Sequence, residues 1–260
     1  MGIRKSGVLI ILLTSLIISA CQNETVDLEN LVADHLKPIE GTLSEKSEFT
    51  IVDATRHEGE LTEDGEAVIV PETDIIDVIV NKERRLPNGY EPEDLMIADV
   101  DYHAVNEERK HLREEAAGAL EDLFEAASEE GHQLVAVSGY RSEQTQEVVF
   151  ASNVDRHGEE HAEQYSAQPG YSEHQTGLAM DVSTASIGYA LSEEFGETQE
   201  GKWVAENGHK HGFIIRYLEG KSEITGYGYE PWHLRYVGED LATSVYQSGL
   251  TLEEYFGLVE

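Results

Sequence analysis

Two short segments carry side chains that combine into chemistry. The first is Ser172-Glu173-His174-Gln175-Thr176-Gly177-Leu178-Ala179-Met180-Asp181, in which a histidine precedes an aspartate by seven residues. Both side chains can face one point if the chain turns at Gly177 and enters a strand. The second is Glu230-Pro231-Trp232-His233, where a carboxylate stands three residues before a histidine and a proline stiffens the approach. Together they supply His174, Asp181 and His233 as three metal ligands, with Glu230 nearby and not needed for binding. That is the inventory of a hydrolytic zinc site: three protein ligands, a position open to water, and a general base. Zinc lowers the pKa of a bound water from about 15.7 to about 7. Glu230 would take the proton and return it to a leaving amine. Either cluster alone would pass for a surface histidine with unrelated carboxylates; the two together do not.

The chain has 11 histidines, so the residue type by itself means little. His157 and His161 are four apart, as helical ligands are, but Gly158 between them points to a solvated face. His209 and His211 fall at an expected helix end, where imidazole favours the dipole.

A third element, Ser138-Gly139-Tyr140-Arg141-Ser142 with Gln146 beyond it, precedes the other two. In this order the three motifs resemble the VanY-type D-alanyl-D-alanine carboxypeptidase family, and the lead-in Val80-Asn81-Lys82 … Leu86-Pro87 … Tyr90-x-Pro92 has the same look. The likeness spans roughly residues 75–245, and no metal or catalytic position departs from the pattern. The resemblance implies that His174, Asp181 and His233 hold one Zn2+ per chain and that Glu230 is the general base. It also implies that Arg141 clamps a terminal carboxylate, helped by Gln146 and Ser172. A planar guanidinium fork suits that task on physical grounds. Ser138, Tyr140 and Trp232 are expected to line the same pocket or to pack behind it.

Several elements must position these groups. Leu112, Ala116, Leu120, Leu123, Phe124 and Ala127 recur at helical spacing, predicting a helix over 107–130 with Gly131 as its cap. Gln133–Val137 reads as a buried strand, and Ser142 caps a second helix running to His157, ended by Gly158. Short strands are expected near Leu178–Val182, Gly212–Ile215 and Trp232–Tyr236, with helices near Gly201–His211 and Glu239–Gln247. Helices grouped with separated short strands indicate an α+β fold. The resemblance specifies it as a small antiparallel sheet with helices packed around it and the zinc site at the sheet, the hedgehog/VanY-like peptidase fold.

The first residues address the chain elsewhere. Arg4 and Lys5 precede an apolar run over Val8–Ile18, then Ser19, Ala20 and Cys21, the chain's single cysteine. This is a signal peptide, and Ile18-Ser19-Ala20-Cys21 resembles a bacterial lipobox, with Cys21 the lipidated residue. Residues 1–20 are read as the signal, 21–70 as an acidic tether with a short helix at Val26–Leu36, and 71–260 as the catalytic domain, opening near the apolar run Ile75–Val80.

The 260 residues carry 52 acidic and 18 basic side chains, a formal charge of −34. Loss of Arg4 and Lys5 with the signal takes the mature chain to −36 (16 minus 52). Such a balance argues against nucleic-acid binding, which needs clustered Lys and Arg, and suits a saline or alkaline exterior. One cysteine excludes an internal disulfide, no nucleotide fingerprint is present, and no obligatory protein partner is evident. The expected protein is an exported, lipid-anchored zinc carboxypeptidase that removes terminal D-alanine from peptidoglycan stem peptides. The alternatives are L,D-carboxypeptidase or endopeptidase action on the same polymer, and a non-catalytic zinc-containing wall-binding lipoprotein.

Overall fold

The computed structural model describes residues 57–103 and 106–259. The signal segment 1–20, Cys21 and the helix expected at Val26–Leu36 lie outside these residues. The architecture is α+β, as the spacing of elements implies. β1 (Glu60–Leu61), β2 (Val68–Ile69) and β3 (Arg84–Arg85) form a short three-stranded sheet. The first two fall in the stretch read from sequence as an extension, yet Ala67 and Val70 beside them are buried. The run Ile75–Val80 forms no strand; Val78, Ile79 and Val80 are buried as loop.

β4 (Leu95–Ile97) pairs antiparallel with β5 (His111–Arg113). This is where the helix predicted over 107–130 departs from the structure: α1 spans only Glu114–Glu129. Leu112 is fully buried on β5, and the Arg109 and His111 carbonyls accept from the Gly139 and Tyr140 amides, so sheet pairing overrides helical spacing. Within α1, Ala116, Leu120, Leu123 and Ala127 form the buried stripe, and Glu114 and Glu115 complement the dipole at its start.

β6 (Val135–Ser138), β7 (Ala179–Ser183), β8 (Phe213–Tyr217) and β9 (Glu230–Tyr236) build the main sheet in the order β6-β7-β9-β8, antiparallel throughout. One side packs on α1 through Ala136, Met180, Val182 and Leu234. A second apolar cluster joins Ile79 and Ile214 to α6 (Glu239–Ser248) and α7 (Leu252–Tyr255), which bury Val245 and Leu252. α2 (Glu143–His157) starts where expected, with the Ser142 side chain accepting from the Thr145 amide, and ends at Gly158. α3 (Glu159–Tyr165) follows at once, while α4 (Gln199–Asn207) and α5 (Ser222–Thr225) flank β8 in sequence. α3, α5 and α7 lie beyond the expected elements, being too short to show a period. Among the described residues no helix is long and apolar enough to cross a membrane.

Candidate active site

Register places the metal-ligating candidates. Ser138 on β6 pairs with Asp181 on β7, and Asp181 pairs with His233 on β9, so one rung of the sheet presents both Asp181 and His233. His174 reaches them from a 3-10 turn, Glu173–Thr176, which closes at Gly177 with φ 68° before β7 begins. Only glycine adopts that conformation without strain, and here a Cβ would also meet Arg113 Cγ at 2.9 Å. The turn at Gly177 inferred from sequence is therefore what aims His174 and Asp181 together.

Glu230 needs a second device. A regular strand would point residues 230 and 233 to opposite faces. Between the pairs Ile215–Leu234 and Tyr217–Glu230, β8 advances by two residues and β9 by four. β9 therefore departs from regular pairing between Glu230 and Leu234, and Glu230 lies close to His233, its Oε2 3.9 Å from His233 Nδ1.

The donor atoms of His174, Asp181 and His233 lie within 4.8 Å of one another, and all three residues are buried. His174 Nε2 and His233 Nδ1 approach Asp181 Oδ1 at 3.4 and 3.2 Å, yet that oxygen has no hydrogen-bond partner among the described residues. The outer nitrogen of each ring is occupied instead. His174 Nδ1 donates to the Gly139 carbonyl at 2.8 Å, and His233 Nε2 donates to Glu173 Oε2 at 3.2 Å. Two imidazole lone pairs and a carboxylate oxygen thus converge on one point, a donor set that fits zinc.

Burial shapes the charges. It pushes the Glu230 carboxyl up to about 8, and the neighbouring Asp181 charge adds to the rise. It pushes His174 down to about 4, assisted by the Arg141 guanidinium, so that ring is neutral at pH 7. For His233 burial opposes protonation, but the Asp181 and Glu173 carboxylates prevail and raise it to about 9 in the metal-free protein. Asp181 is held well below the usual carboxylate range by both histidines, against the cost of its burial.

These groups open into a cavity of about 620 Å3. Arg141, Ser172, Trp232 and Glu230 line it beside the three candidate ligands. Arg141 is half-buried, and its enclosed Nε has no hydrogen-bond partner among the described residues. Three residues singled out from sequence stand elsewhere. Gln146 is fully buried behind the cavity wall, its Nε2 donating to the Ala167 carbonyl at 2.6 Å. Ser138 is buried on β6 outside the lining, and Tyr140 faces a separate depression with Tyr90 and Glu143. His157 and His161 are exposed, with rings 4.8 Å apart, at the outer wall of the groove.

The structure adds residues that the motifs did not mark. Tyr217 packs its ring 4.9 Å from that of His233, and Tyr227 lies 4.7 Å from Tyr217 with its hydroxyl enclosed and unpartnered among the described residues. Tyr227 stands three residues before Glu230, close enough to have been read with that motif. Glu173 falls inside the first motif, but nothing local in the sequence signals its role.

The sequence profile of VanY, D-alanyl-D-alanine carboxypeptidase, matches residues 109–239, which contain the three candidate ligands, Glu230 and Arg141. The chain belongs to the VanY family. YodJ of Bacillus subtilis (strain 168) is 45% identical over 238 residues, covering 91% of this chain and 85% of YodJ. The structure of the LdcB LD-carboxypeptidase is 46% identical with a TM-score of 0.73, covering 79% of this chain and 97% of LdcB. A glutamate-to-alanine mutant of the vancomycin-resistance D,D-pentapeptidase VanY, solved in complex with Zn(II), is 35% identical with a TM-score of 0.59, covering 69% of this chain and 98% of that one. This VanY member is accordingly an enzyme, a peptidoglycan carboxypeptidase.

Proposed function

We propose that the chain is a zinc-dependent carboxypeptidase that removes the C-terminal D-alanine from peptidoglycan stem peptides, with one zinc ion held by His174, Asp181 and His233. The convergence of two oriented imidazoles and an unpartnered carboxylate oxygen beside buried Glu230 carries this reading. When bound, zinc supplies a Lewis acid that polarises the scissile carbonyl and makes water a nucleophile near neutral pH. Glu230 takes the proton from the attacking water and delivers it to the departing amine. Arg141 receives the peptide's terminal carboxylate, and the enclosed, unpartnered Nε supports an anion as its occupant. Ser172 and Trp232 flank that end, Ser138 and Tyr140 pack behind it, and Gln146 fixes the wall through Ala167. No side chain attacks the peptide, so no acyl-enzyme forms.

Purified protein incubated with pentapeptide and tetrapeptide stems tests the reading. D-alanine release that a chelator abolishes and zinc restores is the expected result; full activity in Glu230→Ala or in metal-free protein refutes it. The greater likeness to the LdcB LD-carboxypeptidase than to the D,D-pentapeptidase VanY supports the tetrapeptide as the better substrate of the two. The endopeptidase alternative is disfavoured by Arg141, which answers a free carboxylate.

We further read residues 1–20 as a lipoprotein signal, Cys21 as the lipidated residue, 21–70 as a tether and 71–260 as the catalytic domain, placing the enzyme outside the membrane and facing the wall. Labelled fatty acid incorporated into the wild type and lost in Cys21→Ser tests the anchor.

A further inference from the structure

Behind His233 the sheet buries a row of charges far larger than the site's own chemistry requires. Glu173 is 2% exposed and immediately precedes His174. Its Oε1 accepts from Arg216 Nε and from Arg235 Nη1, each at 2.7 Å, while its Oε2 accepts from His233 Nε2. Arg216 also forks onto Glu253 of α7 at 2.9 and 2.6 Å, and Asn81 donates to the same carboxylate at 3.0 Å. Arg235 Nη2 donates to the Ile76 and Val78 carbonyls and its Nε to that of Tyr236. Two carboxylates balance two guanidiniums, and the side chains of Arg216, Arg235 and Glu173 have no exposed surface. Buried ion pairs are often replaceable by apolar side chains at no loss of stability. Stability alone therefore does not account for the row, and His233 is the point where it meets the site.

We infer that Glu173 is the positioning residue of His233, a role that rests on the zinc reading above. A carboxylate only accepts, so the proton of the neutral imidazole must sit on Nε2 and the lone pair on Nδ1, the atom that faces Asp181. The two guanidiniums leave the carboxylate one orientation, and the ring follows it. A carboxamide would behave differently. Its oxygen would stay with the arginines and its NH2 would turn toward His233, which demands a lone pair on Nε2 and places the proton on Nδ1. The distinction between Glu and Gln is thus a distinction between a ring ready for metal and one that is blocked.

The test compares wild type with Glu173→Gln. Zinc affinity is measured by competition with a chromophoric chelator, and histidine nitrogens of the zinc-loaded proteins are assigned by long-range 15N–1H NMR. In the wild type His233 carries its proton on Nε2, and in Glu173→Gln zinc binds about 10–100-fold more weakly. The His174 ring, which donates to Gly139, keeps its Nδ1 proton in both. A folded Glu173→Gln protein whose zinc affinity stays within about twofold of wild type overturns the inference. Should that variant fail to fold, the wild-type spectrum decides: a His233 protonated on Nδ1 overturns it equally. Wild-type protein that binds no zinc overturns the zinc reading itself, a result distinct from either.

Discussion

Gly139 ties the backbone of the fold to the metal site, and replacing it with alanine gives a result that can be worked out in advance. An added Cβ would lie 2.5 Å from the His111 carbonyl oxygen, 2.8 Å from Met180 Cε and 3.0 Å from the Arg109 carbonyl oxygen. The Met180 methyl is the end of a flexible side chain and can move away. The carbonyls cannot, because Gly139 N donates to Arg109 O at 2.6 Å and Tyr140 N donates to His111 O at 2.8 Å. Ordinary non-bonded contacts sit at about 3.5–4.0 Å, so relief takes a shift of about 1 Å. Weakening two hydrogen bonds costs about 0.5–1.5 kcal/mol each, and overpacking adds about 1–3 kcal/mol. The sum is roughly 2–6 kcal/mol, which for a domain of this size lowers Tm by on the order of 10 °C. The shift also moves the carbonyl that receives the His174 proton at 2.8 Å, so zinc affinity falls by about tenfold or more. Calorimetry of the metal-free protein and chelator competition read the two effects separately. Gly118→Ala is the control: it lies exposed in α1 with nothing within 4 Å of a new Cβ, and should stabilise by about 1 kcal/mol. A Gly139→Ala protein with wild-type Tm and zinc affinity would refute the reasoning.

Glu230→Gln should lower kcat by about 10²–10⁴ while leaving KM and zinc affinity near wild type; a kcat within tenfold of wild type would remove Glu230 from the reaction. Arg141→Lys replaces a two-pronged donor by a point charge, and loss of one charge-assisted bond of about 1.5–3 kcal/mol should raise KM by about 10–150-fold. A peptide amide should suffer in the wild type but gain little further loss in the variant. In metal-free protein the Glu230 carboxyl, raised to about 8 from an unfolded value near 4.5, contributes stability below pH 4.5 that is lost as pH rises through 8. Tm of the wild type should therefore fall relative to Glu230→Gln between pH 5 and 9, and parallel curves would contradict the burial argument. His174 has the opposite sign: lowered to about 4, its contribution is full above pH 6.5 and lost as pH falls through 4. Metal-free melts between pH 6.5 and 4 should show this as a fall in Tm absent from His174→Gln.

Local chemistry was readable where one short segment decided the outcome. The Ser142 cap, the stop at Gly158 and the turn at Gly177 each depend on residues a few positions apart, and the structure has them where expected. The start of α1 was not readable, because Leu112 is claimed by β4, whose pairing no helical period reveals. The candidate ligands were readable as residue types, but the shared rung of Asp181 and His233 and the break in β9 pairing between Glu230 and Leu234 are properties of pairing. Gln146 and Tyr140 stand near Arg141 in sequence, yet the α2 helix and the loop between β6 and α2 turn them to other surfaces. The support behind His233 was the least visible part. Glu173 meets Arg216 and Arg235 across 43 and 62 residues of chain, and an isolated buried glutamate looks like any other acidic residue in a protein with 52 of them.

α7 is a helix of only four residues, held by the Thr251–Glu254 capping box and the Lys221–Glu254 ion pair, and it follows every strand of the sheet. It nevertheless carries Glu253, the second negative charge that Arg216 and Arg235 need. A ribosome builds the chain from the other end, so His174, Asp181 and His233 all exist before Glu253 does. Until α7 docks, two guanidiniums share the one carboxylate of Glu173, and the Arg216 fork lacks its second acceptor. The order of synthesis thus places all three candidate ligands in the chain before the carboxylate that completes the charge row behind them.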